Sequence, residues 1–202
     1  MRIGFFRRIT AFLLDSVPIM LILSLLLSLF VGTLLKSPYP NYDHKVAIYQ
    51  ENMDNYYNTL NNYKNQLDTN EITIEIYEEM ALDLQNDFKN NNEYFISIMF
   101  AYYLNVALYF FISFTIINYI YQLMLKGQTV GRKLMKIELF GNITWFNLLL
   151  REVLWKSVFW IFTFSAGIGI DMTLIAFTKK KKTIRDYLSQ TELRYSGTSY
   201  PF

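Results

Sequence analysis

Residues 5–18 read FFRRITAFLLDSVP, and the apolar run they open, from Ile9 to Leu35, is about 27 residues long with Asp15 as its only charge. About 20 residues, each rising 1.5 Å, are enough to cross ~30 Å of hydrocarbon as a helix. A second run, Tyr94 to Leu125, carries no charge over about 32 residues. Both runs are expected to span a membrane. A cleavable signal peptide is a poorer reading of the first run, because its apolar core far exceeds the usual ~7–15 residues and KSPYP, 36–40, offers no small-residue cleavage pattern. A carboxylate in hydrocarbon costs about 2.5–3.5 kcal/mol on insertion scales, so Asp15 needs a partner or a purpose.

Charge patterning predicts which side is which. The 36–93 segment holds 4 basic and 11 acidic residues, leaving 15 basic and 6 acidic for the rest of the chain. Lys and Arg are enriched in short cytoplasmic segments. Arg2, Arg7 and Arg8 before the first run, and Lys126, Arg132, Lys133 and Lys136 after the second, place the N-terminus and the following loop in the cytoplasm. The acidic 36–93 segment then lies outside.

The third apolar region, 157–178, admits two forms. As one straight span of 22 residues it would carry Lys179 to Lys182, Arg185 and Arg194 outside, against the positive-inside bias. As a broken or re-entrant hairpin turning at SAGIG, 165–169, it returns the tail to the cytoplasm, and this form is favoured. Asp171 would then share a depth with Asp15 near the inner face.

In the outer segment, Val46, Tyr49, Met53, Tyr56, Leu60, Tyr63 and Leu67 recur at intervals of 3 and 4, which is a helical seam. Thr73 is a candidate N-cap for a second helix in which Tyr77, Met80, Leu84 and Phe88 continue toward the second run. The tyrosines either pack this hairpin or offer a docking surface, and packing is the simpler account. His44 is expected to be a surface residue.

Polar residues in the second run fall in two groups at helical spacing: Tyr102, Asn105, Tyr109 and Ser113 toward the outside, and Thr115, Asn118 and Gln122 toward the inside. Interhelical hydrogen bonding is the plain reading, and an ion or solute path the sharper one. LLLREVLWKS, 148–157, reads as an interfacial helix whose Arg151 and Lys156 reach anionic headgroups. GQTVGRK, 127–133, lacks the spacing and the Ser or Thr of a phosphate loop and reads as a basic turn. With no cysteine and one histidine, neither a thiolate metal site nor a nucleophile, base and orienter set is discernible. No enzymatic activity, cofactor or nucleic-acid partner is expected.

RRITAFLLD with Arg8, Ala11 and Asp15, GQTVGRKLMKIEL with Gly127, Thr129 and Gly131, then Arg151, and TIRDYLSQTEL with Asp186 and Thr191, together resemble the RDD family of small bacterial membrane proteins. The resemblance covers about residues 5–35 and 94–193. It implies a helical membrane domain and transport of unidentified ligands, with sodium–proton exchange in some members. Two departures stand out: Arg185 occupies the position of the family's usual histidine, and the outer hairpin is absent from the short form. If the tail is cytoplasmic, Asp186 approaches Arg8 as a structural clamp, leaving Asp15 to Arg151, to the helix-two amides or to a cation.

The expected fold is therefore all-α and polytopic, in the bacterial plasma membrane. Its segments are 1–35 (cytoplasmic N-terminus and first span), 36–93 (extracytoplasmic hairpin), 94–125 (second span), 126–156 (basic loop and interfacial helix), 157–178 (third region) and 179–202 (basic tail). Candidate site residues are Arg8, Asp15, Asn118, Gln122, Gly127, Thr129, Gly131, Arg151, Asp171 and Asp186. The expected partners are the lipid bilayer and further copies or subunits. Transport of an ion or small solute, cation- or proton-coupled, competes with a scaffold that binds an envelope partner through the hairpin.

Overall fold

The computed structural model describes residues 3–159, 166–177 and 182–197. It is overwhelmingly helical. Helix α1, Phe5–Leu26, continues through Pro18 and passes by a π-helical turn, Leu27–Val31, into α2, Gly32–Lys36. Helix α3 is Tyr42–Asp68 and α4 is Ile74–Met124. Short elements follow: α5, Val130–Leu134; β1, Ile137–Gly141; α6, Trp145–Leu148; a π-helical stretch, Leu149–Phe159; α7, Ala166–Phe177; α8, Ile184–Leu188; and β2, Thr191–Tyr195.

Two helical stretches, Phe5–Lys36 and Ile74–Met124, are long and apolar enough to cross a membrane, and only 6% and 0% of their most apolar windows are buried within the chain. A core helix of a water-soluble protein would have those faces covered. Phe6, Leu21, Leu29 and Phe30 on one stretch and Phe100, Leu104 and Ile112 on the other are instead exposed. Hydrocarbon is the solvent that suits them.

The chain divides into two compact units. In the unit spanning Leu29–Ala107, α3 and the first part of α4 run antiparallel. Tyr42 stacks on Tyr102 at 4.6 Å between centroids, Tyr49 and Tyr56 on Phe88 at 5.9 and 4.9 Å, and Asn52 donates to Asn92 at 2.8 Å. All seven seam positions from Val46 to Leu67 are half-buried among mostly exposed neighbours, as the 3–4 spacing requires. Thr73 caps α4, accepting from the Ile76 amide at 3.5 Å. His44 is exposed.

The other unit, Met1–Ser28 with Leu108–Phe202, contains a feature the periodicity did not announce. β1 and β2 pair antiparallel, Ile137 opposite Tyr195 through Gly141 opposite Thr191. Ile137, Leu139 and Leu193 alternate inward onto Ile3, Ala11 and Leu148, forming a small apolar core. The all-α expectation is thus supplemented by one two-stranded ribbon. Gly141, at φ 122°, closes the pairing where a Cβ would sit 2.4 Å from the Gln190 carbonyl oxygen.

In the third region, residues 166–169 are helical rather than turned, so the turn expected at SAGIG does not form there. The apolar sequence leaves the backbone its own hydrogen bonds as the cheapest satisfaction, despite two glycines. Residues 160–165 lie outside the described residues.

Candidate functional site

The loop after α4 reverses through Lys126 and Gly127, both at positive φ, and restarts as α5. Thr129 caps α5, its hydroxyl accepting from the Arg132 amide at 3.4 Å, and the same hydroxyl donates to Asp15 of α1 at 2.5 Å. The Gly131 amide donates to the other Asp15 oxygen at 2.7 Å, and Tyr121 of α4 adds its hydroxyl at 3.2 Å. Three donors thus satisfy Asp15, which is what a half-buried carboxylate needs. Gly131 permits the approach: a Cβ there would lie 2.1 Å from the Ala11 carbonyl oxygen. Gly127 has two duties, its φ of 75° and its closeness to Leu139.

A second carboxylate is held at the opposite end of the chain. The α8 capping box joins Thr183 and Asp186 reciprocally. Asp186 also accepts from Arg8 at 3.0 Å and from Arg151 at 2.5 Å, and Arg151 donates to Thr191 at 2.9 Å. All of these side chains are buried. Burial alone would raise the Asp186 carboxyl, but the Arg151 and Arg8 charges outweigh it and hold the group well below the ordinary carboxylate range.

Beside this pair, Glu152 accepts from Arg132 and Lys156 at 3.1 Å each and lies 3.4 Å from Arg151. Those three charges, Lys156 first, overcome its burial and keep it well below the usual range. Burial pushes the Lys156 ammonium down to about 8, against the pull of Glu152. Lys156 also lies 3.9 Å from the Phe12 ring centroid. Asp171 of α7 accepts from the Trp155 indole at 3.2 Å and stands 3.7 Å from Arg185.

These networks surround a polar cavity of about 30 Å³ whose walls include Arg8, Asp15, Asn118, Gln122, Arg132, Arg151, Lys156 and Arg185. A second cavity of about 40 Å³, walled by Phe5, Ile9 and Ile175, shares Arg8, Phe12, Lys156 and Arg185 with it and has Asp171 at its edge. Asn118 and Gln122 are buried on α4 and face the first cavity, without hydrogen-bonding Asp15. Among the described residues no three His, Asp or Glu side chains converge as metal ligands.

The expected Arg8–Asp186 clamp is present. Asp15, however, is held by Thr129, Gly131 and Tyr121, not by Arg151, because Arg151 is already spent on Asp186, Thr191 and Glu152. Nor do Arg151 and Lys156 reach headgroups: both are buried, since the nearby carboxylates satisfy them internally. Thr191, a residue of the resembled motif, accepts from Arg151, whereas Arg132, Glu152, Tyr121 and Thr183 were not anticipated as site residues. One signal was present: Arg151, Glu152 and Lys156 share one short apolar stretch, and three charges so close are cheapest facing one another.

In the other unit, an open groove of about 240 Å³ runs between the hairpin helices, lined mainly by Asn52, Asn55, Asn91, Asn92 and Asp87 beside Tyr56 and Phe88. The seam tyrosines Tyr49 and Tyr56 pack on Phe88 within that hairpin, while Tyr57 and Leu82 are exposed.

No curated protein and no solved structure matches the chain. The RDD family model matches residues 2–190, which takes in α1 with Arg8 and Asp15, the Thr129–Gly131 turn, Arg151 and Asp186. A match over nearly the whole length, with two helices of membrane-crossing character, makes this chain a membrane protein belonging to the RDD family.

Proposed function

We propose that the protein carries an ion or small solute across the bacterial plasma membrane, with the charged cavity between α1, α4, α5 and the 149–159 stretch as the place where the solute is met. The observation carrying this reading is that Arg8, Arg132, Arg151 and Lys156, together with Asn118 and Gln122, are all buried around one small cavity in a membrane protein. Buried polar groups at that depth are expensive, and function is a common reason for keeping them. Two crossing helices enclose little space, so the transporting form is an oligomer.

The topology we assign has the N-terminus, the 126–147 loop and the tail in the cytoplasm and the 36–93 hairpin outside. Support comes from the bonds that tie Arg8 to Asp186, Asp15 to Gly131, and β1 to β2. Segments hydrogen-bonded in one ribbon lie on one side, so the chain between Gly141 and Thr191 crosses an even number of times or not at all. A re-entrant or paired third region satisfies that, whereas one straight span does not. Labelling a cysteine placed at position 190 of this cysteine-free chain tests it: protection from an external reagent in intact cells is expected, and external labelling overturns the topology.

Cation or proton coupling through Asp15 is disfavoured, because its oxygens are committed to three donors. No enzymatic step or cofactor enters the proposal, the lone His44 being on the hairpin. Flux into proteoliposomes, compared between the wild type and Gln122→Leu, tests the reading; absence of any solute flux in the wild type refutes it. A scaffold is the second reading, favoured by exposed Tyr57 and Leu82 on the hairpin. Crosslinking from position 57 in native membranes would then capture an envelope partner, and self-contacts alone exclude it.

A further inference from the structure

The hairpin unit, residues 29–107, carries a groove that neither the membrane cluster nor the packing seam accounts for. Its floor is fixed by hydrogen bonds. Asn92 is buried; its side-chain oxygen accepts from the Asn52 amide at 2.8 Å, and its own amide donates to the Phe88 carbonyl, also at 2.8 Å. A polar pair in a helical seam sets register, which explains Asn52 and Asn92. It does not explain the rim. Asn55 of α3 and Asp87 and Asn91 of α4 line the same groove, are exposed, and make no side-chain hydrogen bond or ion pair among the described residues.

The chemistry of these walls selects a ligand class. A primary amide offers donors and an acceptor in one planar group, so it answers a hydroxyl in either direction. Beside the amides, Tyr56 and Phe88 supply aromatic carbon, their ring centroids 4.9 Å apart. Aromatic surface with a few placed polar groups is the usual make-up of a small-molecule site. Sugar rings match both halves, with hydroxyls at the edge and C–H groups on the face. No Lys or Arg is among the described lining residues, and segment 36–93 has 4 basic against 11 acidic residues, so an anionic ligand is repelled. A hard cation is poorly served too, because calcium takes about 6–8 oxygens with carboxylates prominent, and Asp87 is the one carboxylate in the described lining.

The lining runs from Asn52 to Thr59 on α3 and from Leu84 to Asn92 on α4, about 10 and 12 Å at 1.5 Å per residue. An open groove of that length suits several sugar units in line. We propose that it binds a neutral oligosaccharide, with Asn55, Asn91 and Asp87 hydrogen-bonding the hydroxyls and Tyr56 with Phe88 receiving a ring face. The inference goes beyond the transport reading and rests on the hairpin unit alone. On the assigned topology the groove lies outside, where free sugars and envelope glycans share this chemistry.

The test uses the purified full-length protein in a detergent without a sugar headgroup, so that the micelle does not compete. Saturation-transfer NMR is read on glucose, N-acetylglucosamine and the tetramer of each, with tetragalacturonate as the anionic control. Neutral tetramers receive saturation and tetragalacturonate does not. The double variant Asn55→Ala/Asn91→Ala removes side chains that hold no bond within the hairpin and binds roughly tenfold more weakly. If it does not fold, Asp87→Ala carries the same comparison. Absence of transfer to every neutral sugar overturns the proposal, as does transfer that these variants leave unchanged, since the sugar then sits elsewhere. Calcium binding without sugar binding overturns it in favour of a cation site. Tighter binding of tetramers than of monomers supports an envelope glycan as the occupant, and equal affinity supports a free sugar. Sugar binding without solute flux in proteoliposomes sinks the transport reading alone; flux without sugar binding sinks this inference alone.

Discussion

Replacing Gly131 with alanine sets a methyl carbon 2.1 Å from the Ala11 carbonyl oxygen and 2.9 Å from the Asp15 carboxyl carbon. The first contact is with backbone of α1, so no side-chain rotation relieves it. If the helices stay together, overpacking costs about 1–3 kcal/mol. If α5 retreats instead, the 2.7 Å bond from the Gly131 amide and the 2.5 Å bond from Thr129 are stretched, and each charge-assisted bond is worth about 1.5–3 kcal/mol. Since the chain will mix the two responses, a loss of about 3–5 kcal/mol is expected. Gly169→Ala is the control, because no atom of the described residues lies within 4 Å of its added carbon. Circular dichroism of both variants in one detergent, titrated with denaturant, gives the comparison. A Gly131→Ala variant as stable as Gly169→Ala would refute the close-approach argument.

Other expectations follow from the same contacts. Asp186→Asn strands Arg8 and Arg151 against a neutral amide and costs about 3–5 kcal/mol in the same denaturation assay. Because the folded Asp186 carboxyl sits below its ordinary value, its contribution is complete above the unfolded pKa and is lost as pH falls through the folded one. An acid titration of the variant should therefore be flatter than that of the wild type. Lys156 behaves oppositely. Its pKa falls from 10.5 to about 8, so between those values the unfolded chain holds more protons and stability rises with pH, by up to about 3 kcal/mol. Lys156→Met should abolish that rise. Thr129→Val removes both the cap and the bond to Asp15, costing about 2 kcal/mol, whereas Thr129→Ser retains them and should match the wild type.

The membrane helices were legible because hydrocarbon imposes a length and a composition that few other environments tolerate. The seam from Val46 to Leu67 was equally plain, since a 3–4 spacing admits one geometry. The Arg8–Asp186 pairing was reached through family resemblance and charge sidedness, 178 residues apart in sequence. The donors to Asp15 were not foreseen: Tyr121 lies in an apolar run where its hydroxyl looked incidental, and a backbone amide leaves no trace in composition. The ribbon was hidden for another reason. Five residues per strand, with only two or three inward side chains each, carry too little alternation to stand out from the neighbouring helical runs. Arg151 and Lys156 were assigned to the surface because amphipathic stretches usually face outward, and only tertiary packing reveals that their counter-charges lie within.

Asp186 follows Arg8 by 178 residues and Arg151 by 35, yet its carboxylate answers both arginines. During synthesis those two guanidinium groups emerge long before their counter-ion, so the N-terminal helix enters the bilayer with its anchor charge still in water or on lipid. The charged cluster around Arg8 and Arg151 is therefore closed only after Asp186 has been made. A nascent chain cut before Thr183 would insert its long helices and stop there, an open frame for membrane quality-control proteases to recognise.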